Sequence, residues 1–499
     1  MNSPSAGSRS VWMTTVLPKF PILQEKLETD VCVIGGGIAG LTAAYLLSRE
    51  GRSVVLIDAA EIGCGETGRT TAHFFPPDNR YFEIEDAFGA EKARLVAESF
   101  QQATALVETI VEQEGIDCEF ERLNGYLFSL NPEGNADLDR EFEAARKAGV
   151  EIGKKGQVPD VSFITGPCLE FRNQAQFHPL KYLGGLIEAF RRKGGSIYTR
   201  TRALDISRCG TALKVITESG SIVAHAVVVA TNTPFNDDVV MHTKQAAYRT
   251  YVVGIRVPKG SVPRILLWDN GDPYHYIRLT TPDDKSEEEI LVVGGADHKV
   301  GQDEHPVHRY DEIEAWVRKR YPMAGPVDFK WSGQVMEPAD GIGYMGRNPM
   351  DDKNVYVITG DSGNGMTHCT AGAMVVTDLI MGRDNAWQDL YDPARKPIHG
   401  MPEFLQELGN TVMQYADWVK GGDVESPAQI QPGKGAILRQ GGRKLAVYRD
   451  DNGVLHAFSA ACTHMGCVVS WNAAETSWDC PCHGSRFSVS GEVLHGPAV

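Results

Sequence analysis

A chain of 499 residues exceeds what one compact domain holds and points to roughly three domains' worth of sequence. Apolar residues at 42%, charged residues at 23% and a mean hydropathy of −0.25, with no run of about 18 apolar residues, exclude a mainly disordered chain and a membrane span. The formal net charge of −16 divides into −17 for residues 1–425 and +1 for residues 426–499, and so acidic a body repels phosphate backbones, which argues against a nucleic-acid partner.

Residues 1–29, with Pro18 and Pro21, read as a tail laid over the first domain; they lack a charged start followed by an apolar block, so no secretory signal is read and a cytoplasmic setting is expected. A strand at Asp30–Ile34, a glycine turn, a helix from Ile38 to Glu50 and a strand from Ser53 to Ile57 make a βαβ opening. Apolar side chains at helical spacing predict a helix over 92–113, and a second, charged on its outer face, over 134–148. Pro179 starts a helix running to about Lys193, where its missing N–H costs nothing. Short β-like runs between Ser196 and Ala230 end in Val227–Thr231, and residues 250–297 read as an antiparallel sheet. A strand-turn-helix unit spans Asn354 to Met381. Residues 386–425, with Pro393, Pro397 and Pro402, read as a linker carrying one or two docking helices, and residues 426–499 as a small all-β module.

Gly35-Gly-Gly37-Ile38-Ala39-Gly40 follows a strand, opens a helix, and has Asp58, with Ala59 after it, 18 residues beyond Gly40. Gly35 suits the tight turn, Gly37 the approach of backbone to a pyrophosphate, and Gly40 the packing of helix on sheet; Asp58 suits a ribose hydroxyl. Gly360-Asp-Ser-Gly363-Asn-Gly365-Met366-Thr367 follows another strand and precedes an apolar helix. Such a helix start offers N–H groups and a positive dipole end to the edge of a flavin. Ala230-Thr231 closes a further strand, and no second G-x-G-x-x-G unit occurs, so FAD rather than NAD(P)H is expected.

These segments resemble the D-amino-acid-oxidase-like flavoproteins over approximately residues 28–385. The resemblance implies an α/β fold: a Rossmann-like FAD-binding domain with an antiparallel-sheet substrate domain over the flavin ring, and oxidation of C–N bonds by hydride transfer to flavin. One departure concerns substrate. Amino-acid oxidases of this type carry an Arg before a Pro-x-x-Asp-Gly segment, whereas this chain reads Gly333-Gln-Val-Met-Glu337-Pro-Ala-Asp340-Gly341, which puts a simple α-amino acid in doubt. Arg278 is either a substitute anchor or an ordinary sheet arginine, and Tyr276 shares its strand. Arg69-Thr70-Thr71 are placed near the cofactor; His73, just beyond, resembles the position of a flavin-linked histidine in dimethylglycine and sarcosine dehydrogenases, or else hydrogen-bonds near the ring. Tyr276, Arg278 and His73 are therefore the candidate catalytic residues. Asp297-His298 and His305-Pro-Val-His308 fit no metal-ligand spacing and read as a solvated loop.

Of ten Cys, four fall within residues 462–482 and six are scattered, reading as small buried hydrophobes. Cys462-Thr-His464 and Cys480-Pro-Cys482-His483 each supply one thiolate and one imidazole. Cys₂His₂ suits tetrahedral zinc, but the two loops match the Rieske [2Fe-2S] pattern, in which Cys462 and Cys480 would hold the inner iron and His464 and His483 an outer one near the surface. Resemblance to the Rieske proteins of respiratory cytochrome bc complexes implies a disulfide between Cys467 and Cys482, although a cytoplasmic disulfide is unusual. It also implies a hydrogen bond from Ser485 to a cluster sulfur, and the replacement of a following Tyr by Phe487 removes a donor and lowers the expected potential.

The expected organisation is an extension at 1–29, FAD-binding and substrate domains at 30–385, a linker at 386–425 and a Rieske domain at 426–499. Two prosthetic groups in one chain suit an oxidoreductase, of dehydrogenase type, that takes hydride from an amine or related substrate and passes electrons singly to or from an external protein or quinone. The alternative is an electron-transfer protein without a small-molecule substrate; a Rieske oxygenase lacks its mononuclear iron domain here.

Overall fold

The computed structural model describes residues 8–77, 80–130, 134–236, 241–281, 286–303, 305–349, 351–396, 409–410 and 413–499. A mixed sheet runs in the order Tyr344–Arg347, Val355–Thr359, Ser221–Val229, Lys26–Ile34, Val54–Ile57, Ser196–Tyr198, with all but the first of these strands parallel. Its centre is built of β-branched residues buried on both faces, Val31 and Val33 against Val227 to Val229, as a parallel sheet covered by helices requires. Helices Ile38–Arg49, Ala90–Glu114, Pro179–Arg192 and Gly365–Met381 pack with it. This is the Rossmann-like architecture, and its cleft opens at the carboxyl ends of the parallel strands.

A nine-stranded sheet supplies the other wall: Val327–Pro338, Gln245–Pro258, Glu288–Lys299, His275–Thr280, Leu266–Asp269, Glu121–Phe128, Cys168–Gln176 and His73–Phe74, with Ile152–Lys155 beside the seventh. The all-β module follows, as a three-stranded sheet (Lys434–Gln440, Arg443–Arg449, Leu455–Ser459) and a four-stranded one (Ser470–Asn472, Ser477–Asp479, Arg486–Phe487, Val493–His495).

Three differences from the sequence expectations have physical causes. The first strand starts at Lys26, and the segment before it is exposed over most of residues 14–25 but inserts around Ser10–Trp12: Trp12 is fully buried and its Nε1 donates to the Thr70 carbonyl at 2.6 Å. An indole needs both a covered ring and a hydrogen-bond acceptor, and this tail finds both between the sheets. Helix Tyr81–Phe88 was not foreseen, being only eight residues long, and strands Glu121–Phe128 and Cys168–Gln176 were not because their burial runs in blocks rather than in alternation. Of the scattered cysteines, Cys209 is exposed and Cys64 and Cys369 are half-buried. Within the expected linker, helix Gln388–Tyr391 buries Leu390 and Tyr391, whereas Pro397 and Pro402 lie outside the described residues.

Candidate functional site

The first strand ends in a glycine turn that leaves no room for side chains. Gly35 has φ +111°, and a Cβ there would overlap the Ala230 carbonyl oxygen; a Cβ on Gly40 would overlap the Gly35 carbonyl. The helix that follows has no side-chain cap of its own at Gly37; the Ile38 N–H donates instead to Thr67 Oγ1 at 3.0 Å. Asp58 accepts from the N–H groups of Gly36 at 2.6 Å and Ala60 at 2.7 Å, and burial pushes its pKa up to about 6 against those two hydrogen bonds.

The resulting cleft is lined by Gly35, Gly37, Ile38, Ala39, Asp58, Ala59, Arg69, Thr70, Thr71, Ala230, Thr231, Gly363, Gly365 and Met366. Gly40, Gly360 and Thr367 do not line it; they shape the turns behind it, Gly360 at φ +74° and Thr367 with its hydroxyl on the Asn364 carbonyl. Gly365 and Met366 open helix Gly365–Met381, so the positive end of that helix faces the cleft. The cradle fits a dinucleotide: its glycines clear the approach, and a Cβ on Gly37 would stand 3.1 Å from Thr67 Oγ1.

The three catalytic candidates separate. Tyr276 lines the cleft with Phe75, Thr250 and Tyr274, and its hydroxyl lies 2.6 Å from Thr250 Oγ1. Arg278 does not reach it: its guanidinium donates to the carbonyls of Thr71, Ala72 and Phe177 and stands 5.2 Å from the Trp12 ring. That is a structural arginine. His73 does not line the cleft either but packs behind Phe75 and Tyr276, with Nδ1 at 3.0 Å from Thr71 Oγ1 and Nε2 at 3.3 Å from the Ile277 carbonyl, and burial, aided by Arg278, holds it neutral with a pKa of about 3. The expected solvated loop is not one: Asp297 and His298 lie in strand Glu288–Lys299, with His298 hydrogen-bonded to Tyr251 and to the Lys299 carbonyl, and His308 opens helix His308–Arg320; these histidines form no metal site among the described residues.

In the all-β module, two loops close on each other with matching backbone bonds, Gly466 N–H to the Cys462 carbonyl at 2.9 Å and Gly484 N–H to the Cys480 carbonyl at 3.1 Å. Cys467 and Cys482 form a disulfide across the loops, with Cα atoms 6.5 Å apart. The sulfurs of that bridge cluster with Cys480, but oxidised they are not free to ligate, so the side chains that could hold a cluster here are Cys462, Cys480, His464 and His483. A hydrogen bond from the Cys480 thiol, opposed by burial, lowers Cys462 to a pKa of about 7. The His464 and His483 rings lie 5.0 Å apart; burial keeps His483 neutral, at about 4, and its buried Nδ1 has no hydrogen-bond partner. Two thiols and a neutral imidazole with an unspent lone pair suit a Rieske cluster.

Sequence reasoning placed these imidazoles near the surface. His483 is instead only 5% exposed, because His242, from the flavin-side domain, packs 4.6 Å from His464 and 5.2 Å from His483. A buried charge network fastens the contact. Glu475, Asp479 and Arg486 of the small module meet Arg69 and Arg249 of the large one, and Ser8 donates to Glu475. Burial opposes ionisation of Glu475 and Asp479, but the arginines outweigh it and hold both carboxyls below their usual range. Residues Leu494, His495, Gly496, Ala498 and Val499 line the flavin cleft itself. Their role, like those of Glu66, Arg202, His242 and Gln334, had no signal in the sequence, since each depends on a contact between distant segments.

A fold of this kind with these two sites defines a flavoprotein oxidoreductase joined to an iron–sulfur module. The family model described as FAD dependent oxidoreductase matches residues 30–379, and that described as Rieske [2Fe-2S] domain matches residues 421–499; the chain belongs to the FAD-dependent oxidoreductase family and carries a Rieske domain. YhfW of Bacillus subtilis (strain 168), a protein named for a Rieske 2Fe-2S iron-sulfur centre, is 35% identical over 498 residues, 98% of this chain and 96% of its own. Gamma-glutamylputrescine oxidoreductase of Escherichia coli (strain K12) is 26% identical over 73% of this chain and 86% of its own. The crystal structure of glycine oxidase from Geobacillus kaustophilus shares the fold, with a TM-score of 0.62 at 18% identity, covering 74% of this chain and 99% of that one. The cofactors are FAD and a [2Fe-2S] Rieske cluster. Among the described residues no helix is long and apolar enough to cross a membrane.

Proposed function

We propose that this protein is a dehydrogenase that oxidises an amine, or a related C–N or C–H donor, by hydride transfer to flavin, and that electrons then pass singly through the Rieske cluster to an external protein or quinone. In this reading the glycine turn, Asp58, Thr70, Thr71 and the start of helix Gly365–Met381 hold the FAD, while Cys462 and Cys480 hold one iron and His464 and His483 the other. The cytoplasmic setting is retained from the composition. Bound flavin supplies a two-electron acceptor that can be emptied one electron at a time.

The observation that carries the proposal is a shared wall. Gln334 lines the flavin cleft, and a Cβ on Gly484, between His483 and Ser485, would stand 2.5 Å from Gln334 Nε2. One side chain therefore separates the cleft from the cluster loop. On the substrate side, Phe75, Tyr274 and Tyr276 give the cleft an aromatic flank that excludes water and seats an apolar body. Arg69 and Arg202 are the arginines among the described lining residues, and both are engaged with the Rieske domain, Arg69 near Glu475 and Arg202 on the Val493 carbonyl. With no guanidinium left for a substrate carboxylate, an amine fits better than an α-amino acid. The relative named for gamma-glutamylputrescine agrees with that class.

Anaerobic titration with a panel of primary and secondary amines, following flavin absorbance and cluster EPR together, tests the proposal. The expected result is bleaching of the flavin by at least one amine with appearance of the reduced-cluster signal. A flavin that no amine reduces, but that exchanges electrons with a partner protein, would overturn it in favour of the carrier.

A further inference from the structure

The flavin cleft is completed by the last residues of the other domain. Leu494, His495, Gly496, Ala498 and Val499 line it opposite the glycine turn's own domain. This segment is tied at both ends. On the flavin side, Arg202 Nη2 donates to the Val493 carbonyl at 3.0 Å, and His495 Nε2 lies 3.7 Å from Glu66 Oε1; Arg202 and Glu66 both line the cleft, and the Arg202 charge acts on Asp58. On the cluster side, the Ala498 N–H donates to Ser485 Oγ at 3.2 Å. Gly496, at φ +96°, runs so close to the second cluster loop that a Cβ on it would stand 2.5 Å from Ser485 Cα.

We propose that residues 493–499 form a cofactor-retaining strap: FAD lies beneath it, so that the docked Rieske domain holds the FAD in place and bound FAD in turn holds the domain docked. Three observations converge on this. The strap meets the cleft at Arg202, whose charge acts on Asp58, and at Glu66, whose carboxylate accepts from the Gln334 N–H, so it reaches from the ribose-side acid to the wall shared with the cluster loop. It touches residues of both sites through backbone groups, which fixes its path whatever its side chains do. The interface that carries it is a buried charge network that opens only by exposing Arg69, Arg249, Glu475 and Asp479 together. Coupling of this kind is reciprocal: whatever docking adds to FAD affinity, FAD adds to docking.

The test uses the full chain loaded with both groups, compared with a chain ending at Gly496, which keeps the strand Val493–His495 and both cluster loops. FAD release is followed by the rise in flavin fluorescence after dilution into FAD-free buffer, and the cluster EPR signal is recorded on the same samples. The shortened chain is expected to release FAD at least tenfold faster with its cluster signal intact; equal release rates with an intact cluster would overturn the proposal. If the shortened chain does not fold or loses its cluster, the full chain decides the matter through hydrogen–deuterium exchange with and without FAD. Slower exchange with FAD, confined within the Rieske domain to the strap and the 480–486 loop, supports the strap. No change, or an equal change across the whole domain, overturns it.

Discussion

Glu475 is a fully buried carboxylate between the Arg69 and Arg486 guanidiniums, which lie 3.9 and 3.4 Å away. Charges so far from water persist only as a set, and removing one leaves the rest unpaired. Glu475→Gln keeps the shape but leaves Arg69 without its carboxylate and Arg486 with Asp479 alone, and is expected to cost about 3 kcal/mol, read as a lowered apparent Tm of the holoprotein. Glu337 gives a pH effect of the opposite kind. Burial lifts it to about 7 despite a hydrogen bond from Ser362, with Asp361 and Asp297 adding to the rise. A carboxyl raised in the folded state binds its proton more tightly there than in the unfolded chain, so its contribution is full below the ordinary glutamate range and is lost as pH rises through about 7. Apparent Tm is expected to fall between pH 5 and pH 8, and to fall less in Glu337→Gln. At this scale the sequence disclosed the residues whose chemistry is local, the glycine turn and the Cys-x-His and Cys-x-x-His loops. It could not disclose His242 or Arg249, whose partners lie more than two hundred residues away.

Among elements, legibility followed periodicity. Helix Pro179–Arg192 buries one regular stripe and announces itself with Pro at its first turn, and its expected start held. Strand Glu121–Phe128 is half-buried along its first four residues and buried along its last four, so no alternation marks it. Strand His275–Thr280 shows which of the two readings of Arg278 the packing supports, the sheet arginine. Tyr276 and Arg278 share one face by period, but the segments at 71–72 and 177 cover that face where Arg278 emerges, as its hydrogen bonds to their carbonyls record. The second cluster loop meets strand Val327–Pro338 so closely that Gly484, at φ +73°, has no room for a methyl group beside Gln334 and Ala247. Gly484→Ala is expected to weaken docking by about 1–3 kcal/mol and to slow flavin-to-cluster electron transfer, measured by rapid-mixing reduction, while the cluster's own EPR signal persists.

For the whole molecule, the two domains pack with His464 and His483 of the Rieske domain against the flavin-side domain, His483 buried and His464 half-buried. His242 packs against both histidines, so His242→Ala is expected to shift the cluster's EPR g-values and slow its reduction by the flavin without loss of iron. The module's all-β fold was legible in its short strands and Gly turns; its orientation was not, because orientation resides in surface complementarity that no motif encodes.

The buried network also has a consequence in time. Arg249 leaves the ribosome long before the acids it is paired with, and at ordinary translation speeds the interval between residues 249 and 475 lasts roughly 10 to 45 seconds. Throughout that window the nascent flavin domain exposes two arginines that will end without water, and its cofactor cleft still lacks its last wall. On the strap proposal, FAD therefore enters most readily before residues 493–499 are made and docked, and their docking shuts the way in.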